Sequence, residues 1–125
     1  MAKRADILFV TDDLQGGERA LAQYVYACKN ASCLAKVRNV RELVGLLKGY
    51  SSIRQLVTHL HSAPGAIILG GEYVDLAKLA EQMTGSPLRV TGEVVFDGCN
   101  AGKQGPAVVA FMKAVGAPRA IGYSV

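Results

Sequence analysis

No tryptophan occurs in the chain, and phenylalanine, tyrosine and tryptophan together make up only 6% of its 125 residues. That scarcity removes the interleaving of aromatic and basic side chains on which single-stranded nucleic acids stack. Long apolar runs are also missing: none approaches the roughly 20 residues that cross a bilayer. The stretch after Met1-Ala2-Lys3-Arg4 is short and contains Asp6, unlike a signal peptide, so the expectation is a cytoplasmic protein with no membrane partner. Three cysteines cannot all pair with one another, which argues against a disulfide scaffold and leaves at least one thiol free. Fourteen basic residues against ten acidic ones give a net charge of +4 and a pI near 9.1. Along the sequence they are scattered, so no specific nucleic-acid partner is expected.

What the chain does have is apolar material, 50% of its residues, enough for one core in a single domain over residues 1–125. Asp6-Ile7-Leu8-Phe9-Val10 is a continuous run of the kind a buried parallel strand shows. Glu18 through Cys28 carries Leu21, Val25 and Cys28 at helical spacing, and Cys33 to Val37 predicts a second strand. A helix is predicted from Asn39 or Val40 through Leu47, stopped by Gly49. Another is predicted after Asp75, whose side chain suits an N-cap, with Leu76, Leu79 and Met83 on one face. Between them lie the apolar runs Ile53–Leu60 and Ala66–Leu69. Alternation of this kind predicts an α/β fold with a mostly parallel sheet flanked by helices.

Two stretches carry candidate chemistry. Val94-Val95-Phe96-Asp97-Gly98-Cys99-Asn100-Ala101-Gly102 is an apolar run that stops in a small-residue turn with a thiol at its tip, and Pro106 to Val115 follows as a helix. The thiol is thereby expected at the C-terminal edge of a strand, where open α/β sheets keep their ligands, and near backbone N–H groups that favour a thiolate. A nucleophilic cysteine needs a base, and the chain has two histidines, His59 and His61, at the end of the Ile53–Leu60 run. A single strand running through this stretch would put Val57, His59 and His61 on one face, with His61 last before Ser62-Ala63-Pro64-Gly65 breaks it. If that strand and the Cys99 strand lie side by side and parallel, both ends reach one edge and form a Cys/His dyad.

The segments His61-Ser62-Ala63-Pro64-Gly65-Ala66-Ile67-Ile68-Leu69-Gly70 and Asp97-Gly98-Cys99-Asn100-Ala101-Gly102 resemble the His and Cys blocks of the caspase-like cysteine peptidase clan, in particular its bacterial members related to CHAT domains. Phe111, Gly116-Ala117 and Ala120-Ile121-Gly122-Tyr123 look like the helix and strand that follow the cysteine in that group. The resemblance covers roughly the second half of the chain. It implies a three-layer caspase-like sandwich and a thiol protease with Cys99 as nucleophile and His61 as base. The backbone N–H groups of Ser62 and Cys99 would then hold the oxyanion. It implies a peptide or protein substrate, leaves room for a regulatory protein partner, and calls for no cofactor and no metal. Members usually carry Gly where this chain has Ser62. Glycine takes a positive φ at no steric cost, so Ser62→Gly is expected to raise turnover if the domain is a weakened enzyme and to leave partner binding unaffected if it is an interaction module. The chain also stops soon after the strand that follows the cysteine, so C-terminal specificity elements of the group are expected to be missing.

Other readings compete. A caspase-like domain without catalysis would serve as a protein-interaction module. A metal-binding α/β domain would use His59, His61 and Cys99 as three ligands with an open position, although no acidic residue stands beside the histidines. Asp12-Asp13 after the first strand suggests the magnesium site of a phosphoryl-accepting receiver domain, but the acceptor Asp and the later Lys of such a site have no counterpart. In the peptidase reading Asp12 and Asp13 are candidate substrate-binding residues that attract a basic side chain. Gly16-Gly17 and Gly70-Gly71 lack the spacing of phosphate loops and read as turns.

Overall fold

The fold, a computed structural model, describes residues 3–12, 32–99 and 105–123. The helix expected over Glu18–Cys28, together with Asp13, lies outside the described residues. In chain order the elements are β1 (Lys3–Thr11), β2 (Ser32–Lys36), α1 (Val40–Lys48), β3 (Tyr50–His59), β4 (His61–Ala63), β5 (Ala66–Leu69), β6 (Glu72–Asp75), α2 (Leu76–Gln82), β7 (Arg89–Cys99), α3 (Pro106–Val115) and β8 (Arg119–Tyr123). Five strands form one parallel sheet in the order β2-β1-β3-β7-β8. The expected α/β class with a mostly parallel sheet flanked by helices is what the chain adopts.

Strand alternation sends side chains to opposite faces, and the two faces differ in size. One receives Leu8, Val10, Leu56, Val94 and Phe96, all buried, and against them pack Leu43 and Leu47 of α1, Leu76 and Leu79 of α2, and Val108, Phe111 and Val115 of α3. The Phe96 and Phe111 rings sit 6.4 Å apart between centroids at a tilt of 58°, a favourable arrangement for two buried rings. The other face carries a smaller cluster of Ile7, Phe9, Val57 and Val95, also buried, with Leu34 against it.

Local chemistry sets the helix ends. The Asn39 side chain accepts from the Glu42 N–H at 2.9 Å to cap α1, and the Asp75 carboxylate, as expected, accepts from the Ala77 N–H at 2.7 Å to cap α2. Arg54 donates to Asp6 at 2.6 Å across β3 and β1, a hydrogen bond that holds the Asp6 carboxyl below its ordinary range.

One departure from the sequence reading concerns the histidine strand. β3 ends at His59, the chain bends at Leu60, and His61 opens β4, which belongs to a separate antiparallel sheet β4-β5-β6. His59 and His61 therefore do not share a strand face. Periodicity alone missed this break because Leu60 and its neighbours include no glycine or proline that would mark the end of a strand. The two turns of the small sheet are legible in retrospect as Pro64-Gly65 and Gly70-Gly71, each joining strands in two residues.

Two glycines matter for close approach. Gly70 has φ +59°, and a Cβ there would run into the Arg38 carbonyl oxygen. Gly92 lies where the β3/β7 register slips between Val90 and Glu93, and its Cβ would lie 2.5 Å from the Arg54 carbonyl oxygen. The bulge lets β7 press its backbone onto β3. Gly70→Ala is expected to cost about 1–3 kcal/mol through forced left-handed backbone and displacement of Arg38. Urea unfolding measures it, and an unchanged midpoint would show that the turn relaxes freely.

Candidate functional site

In this sheet the strand order reverses between β1 and β3, and such folds bind ligands at the C-terminal ends of the strands. Asp12 and His59 stand at the ends of the two strands of that switch, and His61 and Cys99 follow the next pair, β3 and β7. β3 and β7 are neighbours and parallel, in register from Leu56↔Val94 through Thr58↔Phe96. His61 and Cys99 each lie three residues beyond that last pair, one after each strand. β4, which His61 opens, also comes close to β7. Thus the sheet brings the two candidates to one edge although they are distant in sequence.

Before Cys99 the β7/β8 register jumps. Phe96 pairs with Gly122 and Cys99 with Tyr123, so Asp97 and Gly98 are extra residues on β7. A bulge of this sort re-aims the end of a strand, and bulges are common beside active sites. Asp97-Gly98 was readable in sequence as a bend; that it is an insertion within a strand still paired at Cys99 was not.

Ser62 sits within β4 in antiparallel register with Ile67, so its backbone is extended strand rather than turn. Ala63 and Ala66 flank a two-residue turn and form the hydrogen-bonded pair that such a turn imposes. Pairs alternate along an antiparallel ladder, so the Ser62 N–H faces away from β5. β4 is an edge strand of its sheet, and β7 approaches it from outside that sheet. The Ser62 N–H thereby lies on the side of β4 away from β5.

The other candidates differ in their surroundings. His59 is half-buried at the end of β3, its ring 5.5 Å from that of Phe9 and tilted by 30°. This contact fits a packing role on the smaller core cluster. His61 is exposed. Among the described residues, no group of three or more His, Cys, Asp and Glu side chains is gathered for a metal ion. Asp12, just past the end of β1, has its carboxylate engaged, since Oδ2 accepts from the Gly70 N–H at 3.3 Å. The Asp12 carboxylate thus ties the β5–β6 turn to the end of β1, a contact that sequence spacing gave no means to foresee.

No known protein family, curated protein or solved structure matches the chain.

Proposed function

We propose that the protein is a caspase-like cysteine peptidase that hydrolyses peptide bonds with Cys99 as nucleophile and His61 as general base. The observation that carries this reading is the parallel β3/β7 pairing, with His61 and Cys99 equally far beyond its last register pair. In the reaction His61 takes the proton from the Cys99 thiol, and the thiolate attacks the substrate carbonyl. The oxyanion accepts hydrogen bonds from the Ser62 and Cys99 N–H groups. His61 returns the proton to the leaving amine, and a thioester remains. Water, deprotonated by His61, then attacks the thioester, releasing the acid and restoring the thiol. Asp12 is the candidate for attracting a basic substrate side chain, through the carboxylate capacity that Gly70 does not use. The three-layer caspase-like arrangement belongs to the same proposal.

Cleavage of a broad peptide library, read by mass spectrometry, tests the reading. Wild type is expected to yield defined fragments and Cys99→Ala none. Fragments from Cys99→Ala would refute it.

The extended backbone of Ser62 changes the expectation for its substitution. Because no positive φ is required, Ser62→Gly should leave kcat close to wild type, well short of the roughly 10²–10³-fold effect of gaining or losing an oxyanion donor. It should also lower stability by up to about 1 kcal/mol, since glycine weakens a strand. A large rise in kcat would mean that Ser62 holds its N–H in the wrong direction.

A further inference from the structure

Five of the basic residues that are scattered in sequence gather at one edge of the fold. A parallel sheet with returning helices puts every strand start and every helix end on one edge, opposite the candidate site. On that edge lie Lys3 and Arg4 at the start of β1, Arg89 at the start of β7, Lys48 in the last turn of α1 and Lys113 in the last turn of α3. All five are exposed, and none takes part in an ion pair among the described residues. Register aligns them: Arg4 and Arg89 both pair with Ser52 of the strand between them, so they stand two strand spacings apart, about 10 Å. The Lys3 N–H bonds the Gly49 carbonyl at 2.8 Å, which brings the start of β1 against the end of α1 and next to Lys48. The carboxylates nearest this edge are engaged, Asp6 with Arg54 and Glu93 with Arg119. Glu81 in the last turn of α2 is the remaining described carboxylate there.

Like charges held this close repel one another, and a polyanion relieves that repulsion. The kind of polyanion follows from what else the edge lacks. Among the described residues the exposed large apolar side chains are Tyr73 in β6, Val109 early in α3 and Ile121 within β8, none of them at this edge. A membrane surface is held by buried apolar side chains and a protein partner by an apolar anchor, and the described residues of this edge offer neither. Among the described residues, no exposed aromatic ring stands there for unpaired bases to stack on. We infer that the N-terminal edge of the five-stranded sheet binds the phosphate backbone of double-stranded nucleic acid, without reading its sequence. Lys3, Arg4, Lys48, Arg89 and Lys113 supply the contacts. This surface is independent of the peptidase chemistry at the opposite edge.

Fluorescence anisotropy with a labelled DNA duplex of roughly 20 base pairs tests the inference across a salt series. Binding is expected in the micromolar range at about 50 mM salt, with log K falling against log salt at a slope of about −4 to −5. Arg4→Glu/Arg89→Glu should weaken binding at least about tenfold and flatten the slope by about 2. Lys36→Glu/Arg41→Glu makes the same change in net charge at the other edge and should bind as wild type does. Should the first variant fail to fold by circular dichroism, Arg4→Gln/Lys113→Gln reads the same surface. Absence of binding at low salt, equal losses in both charge variants, or tighter binding of poly-glutamate than of the duplex would overturn the inference.

Discussion

His61→Ala is expected to lower kcat for peptide cleavage by about 10²–10⁴-fold while leaving the melting temperature near that of wild type. The loss follows from removing the proposed proton acceptor. The intact fold follows from its setting, since His61 is exposed at the start of an edge strand and its removal leaves no hole in the core. His59→Ala should behave in the opposite way. Its ring packs on Phe9 within the smaller cluster, so truncation should cost about 0.5–3 kcal/mol with kcat little changed in the folded fraction. Paired measurement of kcat and urea midpoint for both variants separates the roles. Full activity in His61→Ala would remove it from the chemistry. Equal loss of activity in both, with metal bound to the wild type, would favour the metal site.

Phe96→Ala should cost about 3–5 kcal/mol, a large part of the roughly 5–15 kcal/mol that holds a domain together. Phe96 is fully buried, contacts Phe111 of α3, and occupies the last β7 position in register with β3. Truncation leaves a cavity beneath the strand end from which Cys99 is carried. Activity should therefore fall further than the unfolded fraction alone accounts for. Equilibrium unfolding in urea gives the first quantity, and cleavage rate normalised to folded protein gives the second. A loss below about 1 kcal/mol would mean that the core repacks around the gap.

Much of the fold was legible because its signals are local. Asn39 and Asp75 announce helix starts through their side-chain oxygens, Gly49 a helix end, and the runs Asp6–Val10 and Val94–Phe96 show the continuous apolarity of strands buried on both faces. The adjacency of the two candidate strands was an expectation drawn from both motifs ending apolar runs, and the β3/β7 pairing meets it. Sequence was least informative where geometry depends on contacts made from elsewhere. The bend at Leu60 has no glycine or proline to mark it, so His61 read as a continuation of β3. Gly92 looked like any glycine until the Arg54 carbonyl was found in the space its side chain would need. The bond between Asp12 and Gly70 joins residues far apart in the chain. Charge was the clearest case of topology overriding sequence order, since only the parallel arrangement brings Lys3, Arg89 and Lys113 to one edge.

The central claim is that Cys99 is an activated nucleophile served by His61, and labelling by a thiol-reactive peptidyl probe addresses it most directly. Wild-type protein, digested and mapped by mass spectrometry, should carry the probe on Cys99 in preference to Cys28 and Cys33. The rate should drop at least about tenfold in His61→Ala, because the thiolate is the reactive form. Equal labelling of the three cysteines, or a rate on Cys99 indifferent to His61, would contradict the account.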